Sequence, residues 1–235
     1  MSLFSVPLLL PKKTEPKVIL AVLPGFGFAL LQSTVMLKGL ALAPTVSFST
    51  LMQDLSGFKV PGGFRGGGAI KVQLWWAVQA TLFRWSPQVM YRWRAFLLRM
   101  FGAKIGKNVV IRPSVKITYP WKLTLGDYAW VGDDAVLYTL GDITIGAHAV
   151  ISQKSYLCTG SHDYASQHFD INATPIVVGA KCWLATDVFV APGVTIGDGT
   201  VVGARSSVFK SLPANVVCRG NPAVVTRERV EKVTP

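Results

Sequence analysis

The chain has 235 residues, half of them hydrophobic, and a net charge of +12. That length leaves room for one main domain plus accessory segments. Three cysteines, Cys158, Cys182 and Cys218, with no CxxC spacing, argue against a disulfide framework and against a zinc ribbon, and fit a reducing compartment. The charge is local: residues 55–126 hold twelve Lys and Arg and no Asp or Glu, so this part should meet something anionic.

In chain order, residues 1–50 form an uncertain apolar extension. Lys12, Lys13 and Lys17 precede an apolar run over 18–31. It resembles a signal peptide, and Ala41-Leu42-Ala43 a cleavage site, but Pro44 would follow the cut. The stretch 18–43 is long enough to cross a bilayer, yet Pro24, Gly25, Gly27 and Lys38 interrupt it. A membrane anchor, an interfacial segment and a disordered extension all stay open. The next part, 51–103, reads as a linker and a helical cap. PGGFRGGG over 61–68 predicts a flexible linker. Residues 70–101 predict two helices broken at Pro87. They carry Trp75, Trp76, Trp85, Tyr91 and Trp93 beside Lys71, Arg84, Arg92, Arg94 and Arg99. Aromatics and cations without acids suit an anionic membrane surface; the same helices suit the cap that the first coil of a solenoid requires.

From Ile105 a six-residue period takes over. Aliphatic residues open its units at Ile105, Ile111 and Ile117, at Leu125, Val131 and Leu137, and at Ile145, Ile151 and Leu157. They resume at Val178, Leu184, Val190, Ile196, Val202 and Val208. A second inward residue is expected four places after each opener, Trp121, Gly141 and Ser161 among them. An α-helix needs three-to-four spacing and an ordinary strand alternates throughout. Six residues make a short strand plus a corner, and three such sides make one coil of a parallel β-helix. Ile105, Leu125 and Ile145 lie twenty apart, which is eighteen plus a two-residue insert at one corner; Val178 and Ile196 lie eighteen apart. About five coils over 104–217 are expected, with residues 218–235 as a short basic C-terminal tail. Between His162 and Ile176 the period stops, and a polar loop is expected to leave one corner.

The histidines are His148, His162 and His168. His162 ends a unit where the loop departs, so it is rigidly held yet reachable, which suits a general base. There is no P-loop and no GxGxxG before a helix.

The run LCTGSHDY, the segment WLATDVFVAPGVTIGDGTVVGARSSVFKSLPANVV and the GNPA element resemble the hexapeptide-repeat acyltransferases. Over about 52–229 the chain is similar to the colanic acid biosynthesis acetyltransferase family. The resemblance implies a left-handed parallel β-helix that assembles as a homotrimer, with each active site between two subunits. It implies acetyl-CoA as donor substrate, no metal, and O-acetylation of a saccharide hydroxyl in bacterial exopolysaccharide synthesis. It makes His162 the general base and the Thr186 backbone N–H the oxyanion donor; Asp163, beside the histidine, is a candidate to orient the ring or to bind the acceptor. Ala204 would lie by the pantetheine arm, and Lys210 and Arg227 along the CoA phosphates. Arg205 and Arg219 are further cations for CoA. Asp133 and Asp134 are candidates for sugar hydroxyls, near Gly132, where galactoside-type enzymes carry an acceptor-contacting Asn. The implied location is cytoplasmic, peripheral to or anchored at the inner face of the bacterial inner membrane, with an acceptor that could be lipid-linked and no nucleic acid partner.

Rival readings are another small acceptor (a simple galactoside, an oligosaccharide or a serine-type molecule), a non-catalytic membrane-associated scaffold, and a zinc carbonic anhydrase using the three histidines. The last is disfavoured by their spacing.

Overall fold

The computed structural model describes residues 53–230; the proposed anchor in 1–50 lies outside them. Three parallel sheets form the sides of a prism. The first stacks Lys104–Ile105, Leu123–Leu125, Ile143–Ile145, Ile176–Val178 and Thr195–Ile196. The second stacks Val110–Ile111, Trp130–Val131, Val150–Ile151, Trp183–Leu184, Val201–Val202 and Val216–Arg219. The third stacks Lys116–Ile117, Val136–Tyr138, Tyr156–Cys158, Phe189–Val190 and Ser207–Val208. We call the corners between first and second sheets edge I, between second and third edge II, and between third and first edge III.

Five coils are complete. A sixth begins with the Leu212–Ile196 bridge and the Val216–Arg219 strand. Val224–Glu228 then folds back antiparallel on that strand, so the end of the chain extends the second sheet and covers its last edge.

The repeat places its aliphatic column as expected. Ile105, Leu125, Ile145, Val178 and Ile196 pair in register up the first sheet, and every opener except the first, Ile105, is buried. Coils this close leave no room for a side chain after the strand. A Cβ on Gly146 would lie 2.5 Å from the Ala180 backbone nitrogen. At the outer position of edge I the chain turns through left-handed backbone at Asn108, Tyr128, His148, Lys181 and Asn215, with φ of 50°, 59°, 59°, 57° and 56°.

The expected second inward position fails in three units. Trp121 and Gly141 are half-buried and Ser161 is exposed. All three fall on edge III, where the extra residues are accommodated. Tyr119, Thr139 and Thr159 are buried there instead. Their bonds knit the longer corners: Tyr119 N–H donates to Thr139 Oγ1 at 2.7 Å, and Gly141 N–H to Thr159 Oγ1 at 2.8 Å. Tyr119 and Leu140 join Val72 in a small second core against Trp121, Ile171 and Ala173.

The cap is helix α1 (Ala69–Val78), a π-turn (Gln79–Phe83), a break at Pro87 and helix α2 (Tyr91–Met100). The first coil has no neighbour below it, so its strands offer unpaired backbone groups. The cap supplies partners. Trp75 Nε1 donates to the Ile117 carbonyl at 2.8 Å, and Gln79 Oε1 accepts the Ile117 N–H at 2.7 Å. Arg94 is fully buried and donates to the carbonyls of Ile111 (2.6 Å), Pro87 (2.9 Å) and Gln88 (2.6 Å) and to Ser86 Oγ (2.8 Å). Arg99 bridges the Ile105 and Gly106 carbonyls. Arg84 also reaches the first coil, donating to the Ser114 carbonyl at 3.4 Å, so three of the five cations that the composition offers to an anionic surface are engaged by the solenoid's open end.

Residues 61–68 also differ from the flexible linker expected. Trp121 Nε1 donates to the Arg65 carbonyl at 2.7 Å, and Lys122 Nζ donates to the Phe64 carbonyl at 2.7 Å and also to the Leu140 carbonyl. Burial pulls the Lys122 pKa below its ordinary value. The glycines serve close approach: a Cβ on Gly67 would lie 3.0 Å from the Trp121 ring. No described helix is long and apolar enough to cross a membrane.

Candidate active site

The insertion on edge III of the third coil is a β-hairpin. Gly160–His162 pairs antiparallel with Ile171–Ala173, His162 opposite Ile171. Residues 163–170 form its tip, closed by Asp163 N–H to the Asp170 carbonyl at 2.8 Å. The hairpin rests on the second core through Ile171 and Ala173, so His162 is carried on a supported stem.

His162 is half-buried. Its Nδ1 lies 2.8 Å from the Phe169 carbonyl oxygen. A carbonyl only accepts, so Nδ1 carries a proton, and in the neutral imidazole Nε2 keeps its lone pair. The imidazole stacks on the Phe169 ring at 4.1 Å and 9°. That arrangement sets the neutral ring's tautomer and favours one orientation, which a general base needs. Asp163 is engaged elsewhere, its Oδ1 accepting the Ala165 N–H at 2.9 Å; the ring's partner is Phe169. His168 is exposed at the hairpin tip. His148 is on edge I, stacked on Tyr128 at 5.0 Å and 9°. The three histidines therefore occupy three separate places, and no group of metal-ligating side chains occurs among the described residues. Cys158 is half-buried on the third sheet, and burial pushes its thiol pKa up. It stays a thiol at neutral pH.

The other candidates fall mostly on edge II. Thr186 sits at the corner of the fourth coil. Its neighbours are used by the ladder, Ala185 N–H to Val202 O at 2.9 Å and Asp187 N–H to Gln153 O at 3.0 Å. The Thr186 N–H has no acceptor among the described residues. The same holds for Asp133, Gln153 and Ala204, so the free amide belongs to the edge and not to Thr186 alone. Arg205 follows at left-handed φ 59°, its guanidinium 3.4 Å from Asp187 and largely exposed. Arg219 is exposed at the same edge of the sixth coil. Thr186, Ala204, Arg205 and Arg219 thus form a track up successive coils, with bare amides below and cations above. That donor set fits an extended uncharged arm with an anionic end. Lys210 is exposed on edge III, and Arg227 lies on the returning strand opposite Val217.

Lower on edge II lies a cavity of ≈ 740 Å³ walled by Tyr91, Arg112, Trp130, Asp133, Asp134 and Lys154, among others. Asp133 pairs with Arg112 at 3.1 Å and accepts from Ser114 Oγ at 3.1 Å; Asp134 lies 3.9 Å from Arg84. A single chain therefore brings His162 together with neither Thr186 nor the two acids.

Three parts of the site escape sequence reasoning. The Phe169 carbonyl orients the His162 ring, and Phe58 and Leu55 wall a cavity of ≈ 250 Å³ beside His162 and Phe169. Nothing in the hexapeptide period marks any of them. Only the seven-residue return from His162 to Phe169 could have shown that a hairpin brings the second back to the first.

No family model matches the chain. Over 180 residues it is 91% identical to an Escherichia coli K12 protein whose name assigns it provisionally as the colanic acid biosynthesis acetyltransferase WcaF; the match covers 77% of this chain and 99% of that protein. It is 30% identical over 138 residues to the galactoside O-acetyltransferase of Escherichia coli K12, covering 57% of this chain and 68% of that one. A solved galactoside acetyltransferase in complex with coenzyme A superposes with a TM-score of 0.65 at 26% identity, covering 72% of this chain and 84% of that chain. The solenoid is the left-handed β-helix of such acetyltransferases, and from the near-complete match at 91% identity the chain belongs to the colanic acid biosynthesis acetyltransferase family, a branch of the hexapeptide-repeat acetyltransferases.

Proposed function

We propose that the protein transfers the acetyl group of acetyl-CoA to a saccharide hydroxyl during exopolysaccharide synthesis. The observation that carries this reading is the His162 imidazole, held at the solenoid's edge with Nδ1 protonated and Nε2 free. Nε2 takes the proton as the sugar oxygen attacks the thioester carbonyl, and CoA leaves as the thiol. No acyl-enzyme is required, in keeping with a half-buried Cys158 whose thiol pKa is pushed up. The Thr186 N–H supplies the oxyanion contact. Ala204, Arg205, Lys210, Arg219 and Arg227 serve the CoA arm and phosphates, and Asp133, Asp134 and Asp163 the acceptor.

The split of these residues between edges supports a homotrimer, in which edge III of one copy meets edge II of the next. The outer faces favour such a ring. The second sheet carries exposed Trp130 and Trp183 beside half-buried Val110, Val150 and Val201, and the third an aromatic ladder of half-buried Tyr138, Tyr156 and Phe189 ending at exposed Phe209. Two different apolar faces on one chain make a heterologous contact that closes by rotation. Membrane association is proposed from the cap, whose Ile70, Leu74, Trp85, Val89 and Met100 are exposed. A cytoplasmic position at the inner face of the inner membrane and a lipid-linked acceptor follow from that reading.

The test is acetyl transfer from acetyl-CoA to lipid-linked and free saccharides, with light scattering on the same sample. Acetyl-CoA at a hundredfold its Kd should stabilise the fold by about 2.7 kcal/mol. No stabilisation and no transfer to any saccharide would end the proposal. Transfer only to simple galactosides would move the acceptor to the class named for the galactoside relative.

A further inference from the structure

The catalytic hairpin has a second support that comes from the far side of the linker. Residues 54–58 cross it as a strap. The Asp54 N–H donates to the Gln167 carbonyl at 2.7 Å. Leu55–Gly57 form a single 3-10 turn, capped by the Asp54 carboxylate on the Ser56 N–H at 3.0 Å. Gly57 lies so close to the His168 ring that any side chain there would collide with it. These contacts deliver Phe58 to His162, with ring centroids 6.0 Å apart and tilted by 48°. Phe169 already stacks on the imidazole. The imidazole therefore has two aromatic neighbours, one from the hairpin and one from the strap, and Leu55 and Phe58 line the cavity beside it.

We propose that Phe58 is a positioning residue of the active site: the 54–58 strap holds it against the His162 imidazole, limiting the ring's swing and keeping bulk water from it. The inference rests on His162 being the base. A ring pinned only by one hydrogen bond and one stacking face can still rotate about its side-chain bonds, and a misplacement of about 1 Å can cost a hundredfold in rate. A second apolar wall restricts that motion and raises the fraction of time in which Nε2 is correctly aimed. It also favours direct attack by the acceptor over attack by water. Phe58 reaches no reacting atom in this scheme, so it acts through His162.

The experiment compares the full chain with Phe58→Ala and Phe58→Leu. The primary readout needs no acceptor: carbethoxylation of each histidine by diethyl pyrocarbonate, followed by mass spectrometry. His162 in Phe58→Ala should react several-fold faster than in the unmodified chain, while His148, on edge I, keeps its rate. Phe58→Leu, which retains apolar bulk, should restore most of the protection. Acetyl transfer, assayed with maltose and methyl galactoside as acceptors, should lose about ten- to a hundredfold in kcat in Phe58→Ala, with the KM for acetyl-CoA unchanged. An unchanged His162 reaction rate, or an equal rise at His148, overturns the proposal, the second because it means general loosening. If the unmodified chain acetylates no saccharide, the reading of its function fails, and the carbethoxylation result still decides the strap.

Discussion

Edge I and edge III are made by the same repeat and have become different things. On edge I every coil turns in the same number of residues, and its outer positions share one left-handed conformation from Asn108 to Asn215. On edge III the first two coils carry short inserts, the third a hairpin, and the fourth none. Stacked coils share one hydrogen-bond register, so a corner can grow only where the extra chain can leave the stack and find its own support. Edge III has that support in Tyr119, Leu140 and Val72, with residues 54–68 lying along it. The comparison explains why His148 and His162 differ although both sit at corners: the first fills a structural position common to all coils, the second stands where the pattern was broken.

The sharpest way to break this contrast is to remove each histidine. His162→Ala should lose about 10²–10⁴ in acetyl transfer while keeping its melting temperature and acetyl-CoA binding, because the column of buried aliphatic residues is untouched. His148→Ala and His168→Ala should keep nearly all activity. A folded His162→Ala protein with normal turnover would refute the assignment of the base.

Stability should show the opposite asymmetry. Gly146→Ala on edge I forces a methyl to 2.5 Å from the Ala180 nitrogen, which is backbone and cannot move aside. A destabilisation of about 1–3 kcal/mol is expected, read as a lower denaturant midpoint with unchanged turnover per folded molecule. A Gly–Ser insertion between Ala147 and His148 should be worse, since it disrupts the shared register. The same insertion beside Gly193, on the insert-free corner of edge III, should be tolerated with a fall of only a few degrees in melting temperature. Equal tolerance at both corners would contradict the distinction between the edges.

This contrast also marks where the sequence could be read. The period located the inward aliphatic residues because each must repeat to fill one column, and the twenty-residue spacing of Ile105, Leu125 and Ile145 showed that one corner was longer. It did not show which inward residues the longer corner uses. Counting four from Ile117 leads to Trp121, whereas the buried residue is Tyr119, because the extra residues displace the next inward position. Thr139 and Thr159 keep the twenty-residue interval from Tyr119, and that ladder was available to be noticed. His162 was legible as the last residue before the break. Its partner was not, since a backbone carbonyl has no sequence signature and only the hairpin's pairing carries Phe169 back to it. The cap was legible as two helices around Pro87. Its buried Arg94 was not, because a cation bound by carbonyls at an open solenoid end has the same composition as one meant for an anionic surface.

The smallest effect expected is at Asp163, and it separates two roles for a carboxylate beside the proposed base. An acid that orients the imidazole would hydrogen-bond Nδ1, and its loss would lower kcat. In this structure Nδ1 is satisfied by the Phe169 carbonyl, and the Asp163 carboxylate caps the Ala165 amide at the exposed hairpin tip. Asp163→Ala should therefore leave kcat within a small factor of the unmodified chain and cost less than about 1 kcal/mol in stability, as for one exposed hydrogen bond. If Asp163 also meets an acceptor hydroxyl, the loss should appear in the acceptor KM, by about tenfold for one hydrogen bond near 1.4 kcal/mol. Steady-state kinetics with acceptor varied at saturating acetyl-CoA distinguish the cases. A fall in kcat approaching that of His162→Ala would mean that the carboxylate turns toward the ring during turnover, and that edge III aims its base with an acid as well as with a carbonyl.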